Sequence, residues 1–142
     1  MPRHWVIAPV ESKDRELFDK VWQFDLANNT ISIGWTQLGD VSHLTHEQLL
    51  QAVASEWPEN KRPSVAANML WNFYHEISVG DVVIARRGRR MLEAVGEVTK
   101  HAVYVPGKNP DLKYPHFLEV SWRIKPRGKS FDSMVFTMNT VV

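Results

Sequence analysis

The 142-residue sequence contains no cysteine. This absence excludes a disulfide framework, a thiolate metal site and a cysteine nucleophile, and it fits a reducing compartment. No apolar run approaches the roughly 20 residues that a membrane-spanning helix needs, and the start "MPRHWVIAPV" lacks the pattern of a signal peptide. We therefore expect a soluble, cytoplasmic protein that has no membrane partner.

The common motifs of enzymes and metal sites are also missing. The sequence has no complete P-loop and no Gly-x-Ser-x-Gly nucleophile elbow. His46-Glu47 and His75-Glu76 begin the helical zinc motif, but Leu50 and Val79 stand where its second histidine belongs. We therefore predict no metal site, no cofactor and no catalytic residue, and we expect a protein that is not an enzyme.

The basic residues are concentrated in the second half of the chain. Residues 1–62 hold 6 Lys/Arg against 9 Asp/Glu, whereas residues 63–142 hold 11 against 7. The second half therefore attracts polyanions, at modest strength. "ARRGRR" groups four arginines that can grip phosphates, although it is also compatible with a solvated turn. The loop "VYVPGKNPDLKYPH" interleaves cations with aromatic rings, as binding of nucleic acid requires. The predicted phosphate ligands are Arg86, Arg87, Arg89, Arg90, Lys108 and Lys113.

Periodicity and turn signals predict an α+β domain with the order β-α-β-α-α-β-β-β-β. Thr45 and Gln48 form a capping-box pattern at the start of the second helix. The late strands, joined by hairpins, favour one mixed, strongly curved sheet with helices packed outside it. The apolar end "NTVV" indicates a fragment of a longer protein. Strands are predicted within 4–10, 31–36, 78–88, 89–101, 116–125 and 130–137, and helices within 12–22, 45–57 and 64–77.

Two aromatic features have more than one interpretation. In the third predicted helix, Trp71 and Tyr74 lie off the apolar face, so this helix is either sandwiched or a contact surface for another protein. In "ISIGWTQLGD", Trp35 stands at the end of a predicted strand. It is either a core plug or a flat platform on which a base stacks.

Three segments carry a resemblance to a known family. "ISIGWTQLGDVS", "LWNFYHEISVGDVVIARRG" and "VGEVT" resemble the EVE-like branch of the PUA-like superfamily, which also includes YTH domains. The resemblance is to the N-terminal specificity domains of modification-dependent restriction systems in particular, and it runs from about residue 4 to 125. It implies a PUA-like curved mixed β-sheet or barrel of about five to six strands flanked by about three helices, within one domain spanning 1–142.

The resemblance also implies a function and a site. We expect a non-catalytic reader that flips a modified DNA base into an aromatic pocket. It would be the specificity module of a restriction or defence protein whose nuclease or motor lies in another domain or subunit. An RNA-binding PUA-like domain and a protein-interaction module are the alternatives. The implied pocket consists of Trp35, Thr36, Pro9, Val10, Asp14, Tyr104 and Tyr114.

Overall fold

A computed structural model describes residues 2–9, 15–87, 91–106, 108, 114–124 and 129–130. The predicted order of helices and strands is confirmed as far as the strand predicted at 116–125, with three α-helices. The last predicted strand, 130–137, lies outside the described residues except for Ser130. The elements are β1 His4–Ile7, α1 Arg15–Asn28, β2 Thr30–Ile33, a 3-10 turn Thr36–Leu38, α2 His46–Glu56, α3 Pro63–Trp71, a π-helical turn Asn72–Glu76, β3 Val82–Arg87, β4 Met91–Tyr104, β5 His116–Ile124 and β6 Lys129–Ser130.

The strands form one mixed sheet, as the sequence predicts. Its order is β1-β3-β4-β5-β2, with the short β6 paired to β4. β1 runs parallel to β3, and the other neighbouring pairs are antiparallel. A barrel would require a ladder between the end strands β1 and β2. The described strands contain none, so the sheet is open and the predicted closure into a barrel is not met.

β4 is long and irregular, and it extends further than predicted. Its register against β5 shifts three times, first between Val95 and Gly96 and last between Lys100 and Val103. Each such irregularity bends and twists the strand locally. The sequence places a loop at 102–115, yet β4 continues to Tyr104. This extension carries Tyr104 to a position opposite His116 of β5.

The N-terminus of α2 is fixed by the predicted capping box. The Thr45 hydroxyl oxygen accepts a hydrogen bond from Gln48 N at 3.1 Å, and Gln48 Oε1 accepts one from Thr45 N at 2.9 Å. Two of the otherwise unpaired amides of the first turn are thereby satisfied. The helix then buries Leu49 and Val53 against the core.

The turn before β3 is organised by a buried carboxylate. Gly80 adopts φ 95°, a conformation that favours glycine. Asp81 then accepts hydrogen bonds from Ser78 N at 2.9 Å, Trp5 Nε1 at 3.0 Å and Arg3 N at 3.1 Å. Burial alone would raise the pKa of Asp81, but these hydrogen bonds hold it below its usual value. Asp81 therefore joins β1 to the entrance of β3.

A second buried carboxylate joins the end of α1 to β2. Asp25 is fully buried, and it accepts hydrogen bonds from Thr30 Oγ1 at 2.9 Å, Ser32 N at 3.1 Å and Ser32 Oγ at 3.0 Å. Burial nevertheless raises the pKa of Asp25 from 3.8 to about 7, although these hydrogen bonds act in the opposite direction. Below about pH 7 the folded protein therefore favours the protonated acid in this position.

This raised pKa predicts a specific pH dependence of stability. Between about pH 4 and pH 7 the folded state holds a proton on Asp25 that the unfolded state has lost, so its contribution to the free energy of unfolding falls as pH rises. Asn mimics the protonated acid, so Asp25→Asn should remove this contribution. The difference in unfolding free energy between the two proteins should change by a few kcal/mol across this window. Urea unfolding at several pH values measures it, and a constant difference would contradict the prediction.

Gly96 occupies a position in β4 that has no room for a side chain. A Cβ atom there would lie 2.5 Å from Val120 Cγ1 and 2.7 Å from Ser121 O, and 2.9 Å from the Trp122 ring. Trp122 is itself fixed, because its ring packs edge-on against Trp22 with centroids 5.0 Å apart. The β4–β5 contact therefore requires glycine at position 96.

We expect Gly96→Ala to destabilise the fold by about 1–3 kcal/mol, because an added methyl group overpacks a well-filled site. Thr99→Ala, at an exposed position of the same strand, should change the stability by less than about 0.5 kcal/mol. Thermal and urea unfolding of the two variants provide the comparison. Equal stabilities would show that β4 and β5 can separate at this point without cost.

Candidate functional site

A row of three residues crosses the sheet at one end of β2, β4 and β5. His116 of β5 stands opposite Ile33 of β2 and opposite Tyr104 of β4. Directly opposed residues of antiparallel neighbours lie on one face of a sheet. The His116 and Tyr104 rings have their centroids 5.4 Å apart. Ile33 and His116 are fully buried, whereas Tyr104 is half-buried, so the row opens to solvent at Tyr104.

Tyr114 lies against the end of β2. A Cβ atom on Gly34 would be 3.4 Å from Tyr114 Cε1, so the glycine lets this ring approach the backbone closely. Val105 N donates a hydrogen bond to Pro115 O at 2.8 Å, which holds the described ends of the β4–β5 connection together. The half-buried Tyr114 ring packs against the core from this position.

Trp35 is placed by an unusual backbone conformation. Its φ and ψ are 56° and 40°, in the left-handed region that residues with a Cβ seldom occupy. The predicted strand therefore ends at Ile33, and Trp35 turns the chain into the 3-10 turn. The Trp35 carbonyl accepts hydrogen bonds from Leu38 N at 3.2 Å and from His116 Nε2 at 3.4 Å. The indole is half-buried and packs against the core, which leaves part of its surface open.

His116 connects Trp35 to Tyr74 through its two ring nitrogens. Burial lowers the pKa of His116, and this effect outweighs the opposing influence of the Trp35 carbonyl and the Asp40 charge. The imidazole is therefore neutral near pH 7. Because a carbonyl can only accept, the proton lies on Nε2, and Nδ1 accepts a hydrogen bond from the Tyr74 hydroxyl. Burial also raises the pKa of Tyr74, so its hydroxyl remains a donor.

The π-helical turn explains why Tyr74 reaches this position. Ile77 N bonds to Asn72 O at 2.9 Å, which adds one residue to the turn. Phe73 and Tyr74, although consecutive, are thereby both buried. Of the two alternatives for this helix, the burial of Tyr74 fits the sandwiched one. Regular helical spacing placed Tyr74 off the core face, whereas the wider π-helical turn buries it. Trp71 is half-buried, and its ring stacks on His75 with centroids 4.1 Å apart.

The other predicted pocket residues lie in different places. Thr36 follows Trp35 directly, at the start of the 3-10 turn, and is half-buried. Pro9 is buried just after β1, which is the strand at the opposite end of the sheet order from β2. Val10 and Asp14 lie outside the described residues. The structure thus places the Tyr104 ring and the Trp35 carbonyl against His116, and the Tyr114 ring against Gly34, the residue before Trp35. It adds Tyr74, which the sequence pattern did not place there.

The predicted phosphate ligands are less available than expected. Arg86 is only 4% exposed, because the register shift between Ala85 and Arg86 interrupts the alternation and buries both residues. Arg87 pairs with Asp19 at 2.8 Å. Lys108 is exposed, and its ammonium lies 5.2 Å from the centroid of the Phe117 ring. Arg89, Arg90 and Lys113 lie outside the described residues.

Other parts of the described chain offer fewer side chains that could bind a ligand. A shallow groove beside Gly96 has a mainly apolar lining, and the ion pair of Arg123 with Glu97 (3.0 Å) lies at it. Within the described ranges, no three His, Asp or Glu side chains gather so that they could hold a metal ion. No helix among these residues is long and apolar enough to cross a bilayer.

The chain belongs to the family described as "Domain of unknown function (DUF8426)", whose pattern it matches over residues 5–142. A comparison with curated proteins gives no match. Neither result assigns a ligand, so the function has to be inferred from the site itself.

Proposed function

We propose that this protein is a non-catalytic reader domain that binds a modified DNA base, flipped out of the helix, against Trp35, Tyr104 and Tyr114. The observation that carries the proposal is that three half-buried aromatic residues from separate segments lie at one end of the sheet. The Tyr104 ring and the Trp35 carbonyl contact the buried His116, and the Tyr114 ring lies against Gly34. Partly open aromatic faces on a rigid support are what base stacking requires. The resemblance of the surrounding motifs to EVE-like domains supports the same interpretation.

The free energy gained by stacking on aromatic rings is comparable to the free energy that base flipping costs. Extruding a base costs a few kcal/mol, and stacking on aromatic rings returns roughly 1–3 kcal/mol per base. A buried methyl group adds about 0.8 kcal/mol. Discrimination by one methyl group is therefore modest, and it depends on the shape of the pocket and on a polar partner for the base edge.

Asp40 supplies an acceptor for such a base edge. Its carboxylate accepts hydrogen bonds from Ser42 Oγ at 2.7 Å and Ser42 N at 3.0 Å, which hold the pKa of Asp40 below its usual range. Asp40 is exposed and lies two residues after the 3-10 turn that Trp35 opens. An ionised acceptor favours a base with an exocyclic amino group, which means cytosine, adenine or guanine derivatives over thymine.

The proposal is tested by a binding screen over labelled oligonucleotides. Duplex and single-stranded DNA would carry one modified cytosine, adenine or guanine at a central position, with unmodified DNA and matched RNA of the same sequence as comparisons. The proposal requires tighter binding to one modified DNA than to its unmodified counterpart. Preference for RNA would favour an RNA-binding domain, and binding to no oligonucleotide in the screen would refute the reader function.

Trp35→Ala separates the platform from the core plug. If the ring stacks on the base, affinity for the preferred oligonucleotide should fall by roughly 1–3 kcal/mol while the melting temperature changes little. If it is a core plug, the cavity should cost roughly 3–5 kcal/mol of stability. Trp71→Ala, at the other half-buried tryptophan next to His75, is the matched control and should leave the affinity unchanged. A large loss of stability with retained preference for the modified base would remove Trp35 from the pocket.

Lys108→Ala tests the phosphate contact. Loss of one cation at the phosphate backbone should weaken binding to all oligonucleotides alike and reduce the slope of log K against log salt by about 1. Lys61→Ala, at an exposed position between α2 and α3, serves as the control for the change in net charge. Equal salt slopes in the two variants would place Lys108 outside the interface.

A further inference from the structure

Three unusual local features meet at His116. Trp35 occupies the left-handed region, Tyr74 stands in a π-helical turn, and His116 is a buried imidazole bonded to both. The left-handed conformation is unfavourable for a residue with a Cβ. Such a conformation persists only where its surroundings hold it. The hydrogen bond from His116 Nε2 to the Trp35 carbonyl is one contact that holds it.

We infer that Tyr74 and His116 are positioning residues that fix the peptide after Trp35, and with it the direction of the indole, so that acid weakens binding by protonating His116. The inference rests on the proposed function for its binding consequence, but the positioning itself does not require a ligand. Tyr74 Oη–H donates to Nδ1, and Nε2–H donates to the Trp35 carbonyl. Each nitrogen thus has one partner and one fixed role.

Protonation would break this arrangement. The groups that face His116 are the Tyr74 hydroxyl, the Tyr104 ring, the Trp35 carbonyl and, at longer range, the Asp40 carboxylate. With a proton on Nδ1, the Tyr74 hydroxyl must turn and lose its acceptor, and a charge is placed in a buried position. Burial lowers the pKa of His116 below 6.5, so the neutral imidazole stabilises the fold above this pH, and that stability is lost as pH falls towards the folded-state pKa.

The ligand-free test follows the indole N–H resonances of the tryptophans by NMR. Trp35→Phe assigns the Trp35 resonance. Tyr74→Phe removes only the hydroxyl and should shift the Trp35 resonance. His46→Asn is the matched control, because the His46 ring lies 5.6 Å from that of Trp71. It should shift the Trp71 resonance and leave that of Trp35 in place. An unmoved Trp35 resonance in Tyr74→Phe would overturn the inference, whatever the protein binds.

The binding test uses the modified duplex that the wild type prefers. Tyr74→Phe should lower the affinity on the order of fivefold, as expected for one lost hydrogen bond, and should reduce the preference over unmodified DNA. A wild type that binds no oligonucleotide, combined with a shifted Trp35 resonance, would refute the reader function and support the positioning role. Unchanged affinity and preference, with a shifted resonance, would overturn the link between positioning and binding.

The pH profile provides a second readout that a structural role alone would not move. Wild-type affinity should fall between about pH 7.5 and about pH 5, and this fall should be absent in His116→Asn. His43 is an exposed histidine three residues after Asp40, so His43→Asn is the control and should keep the wild-type profile. A fall that survives in His116→Asn, or that disappears in His43→Asn, would overturn the role of His116. If His116→Asn does not fold, the other two variants decide. A fall of affinity at low pH that persists in His43→Asn and is smaller in Tyr74→Phe supports the role of His116.

Discussion

The hydrogen bonds of the buried His116 imidazole determine the geometry at the end of the sheet where Tyr104 reaches solvent. His116 is inaccessible to solvent, so a ring nitrogen without a hydrogen-bond partner would lower the free energy of unfolding. Both nitrogens are satisfied, one by the Tyr74 hydroxyl and the other by the Trp35 carbonyl. Three segments far apart in sequence are thereby fixed to one another. The Trp35 backbone is thereby held from β5 as well as by its connection to β2.

Buried polar side chains act in the same way elsewhere in the fold. Asp81 joins the backbone before β1 to the turn before β3, and Asp25 joins the end of α1 to β2. Each of these groups is satisfied by partners that only the correct packing supplies. Apolar burial alone is less selective, since it tolerates many arrangements of similar volume. The polar contacts therefore select one registry of helices and strands.

Local signals allowed much of the fold to be predicted from the sequence. The capping box at Thr45 and the order of the elements as far as β5 depend on neighbours along the chain, and both predictions are confirmed. The π-helical turn at Tyr74 and the left-handed Trp35 depend on contacts with β5, which no local pattern records. The burial of Arg86 follows from a register shift between strands, and alternation along one strand cannot reveal it. Trp35, Tyr104 and Tyr114 are candidate residues that the sequence offers, whereas the hydrogen bonds of His116 to Tyr74 and to the Trp35 carbonyl leave no local signal.

The two interpretations of Trp35 are physically related. A stacking platform loses affinity if its ring must be ordered when the ligand arrives, because that entropy is then subtracted from the binding energy. A ring that packs partly on the core is already ordered. Partial burial therefore supports a binding role as well as a structural one. The left-handed backbone of Trp35 lowers the folding stability, and the His116 hydrogen bond holds it in place. This conformation keeps the indole at the edge of the core, whereas an extended backbone would direct it elsewhere.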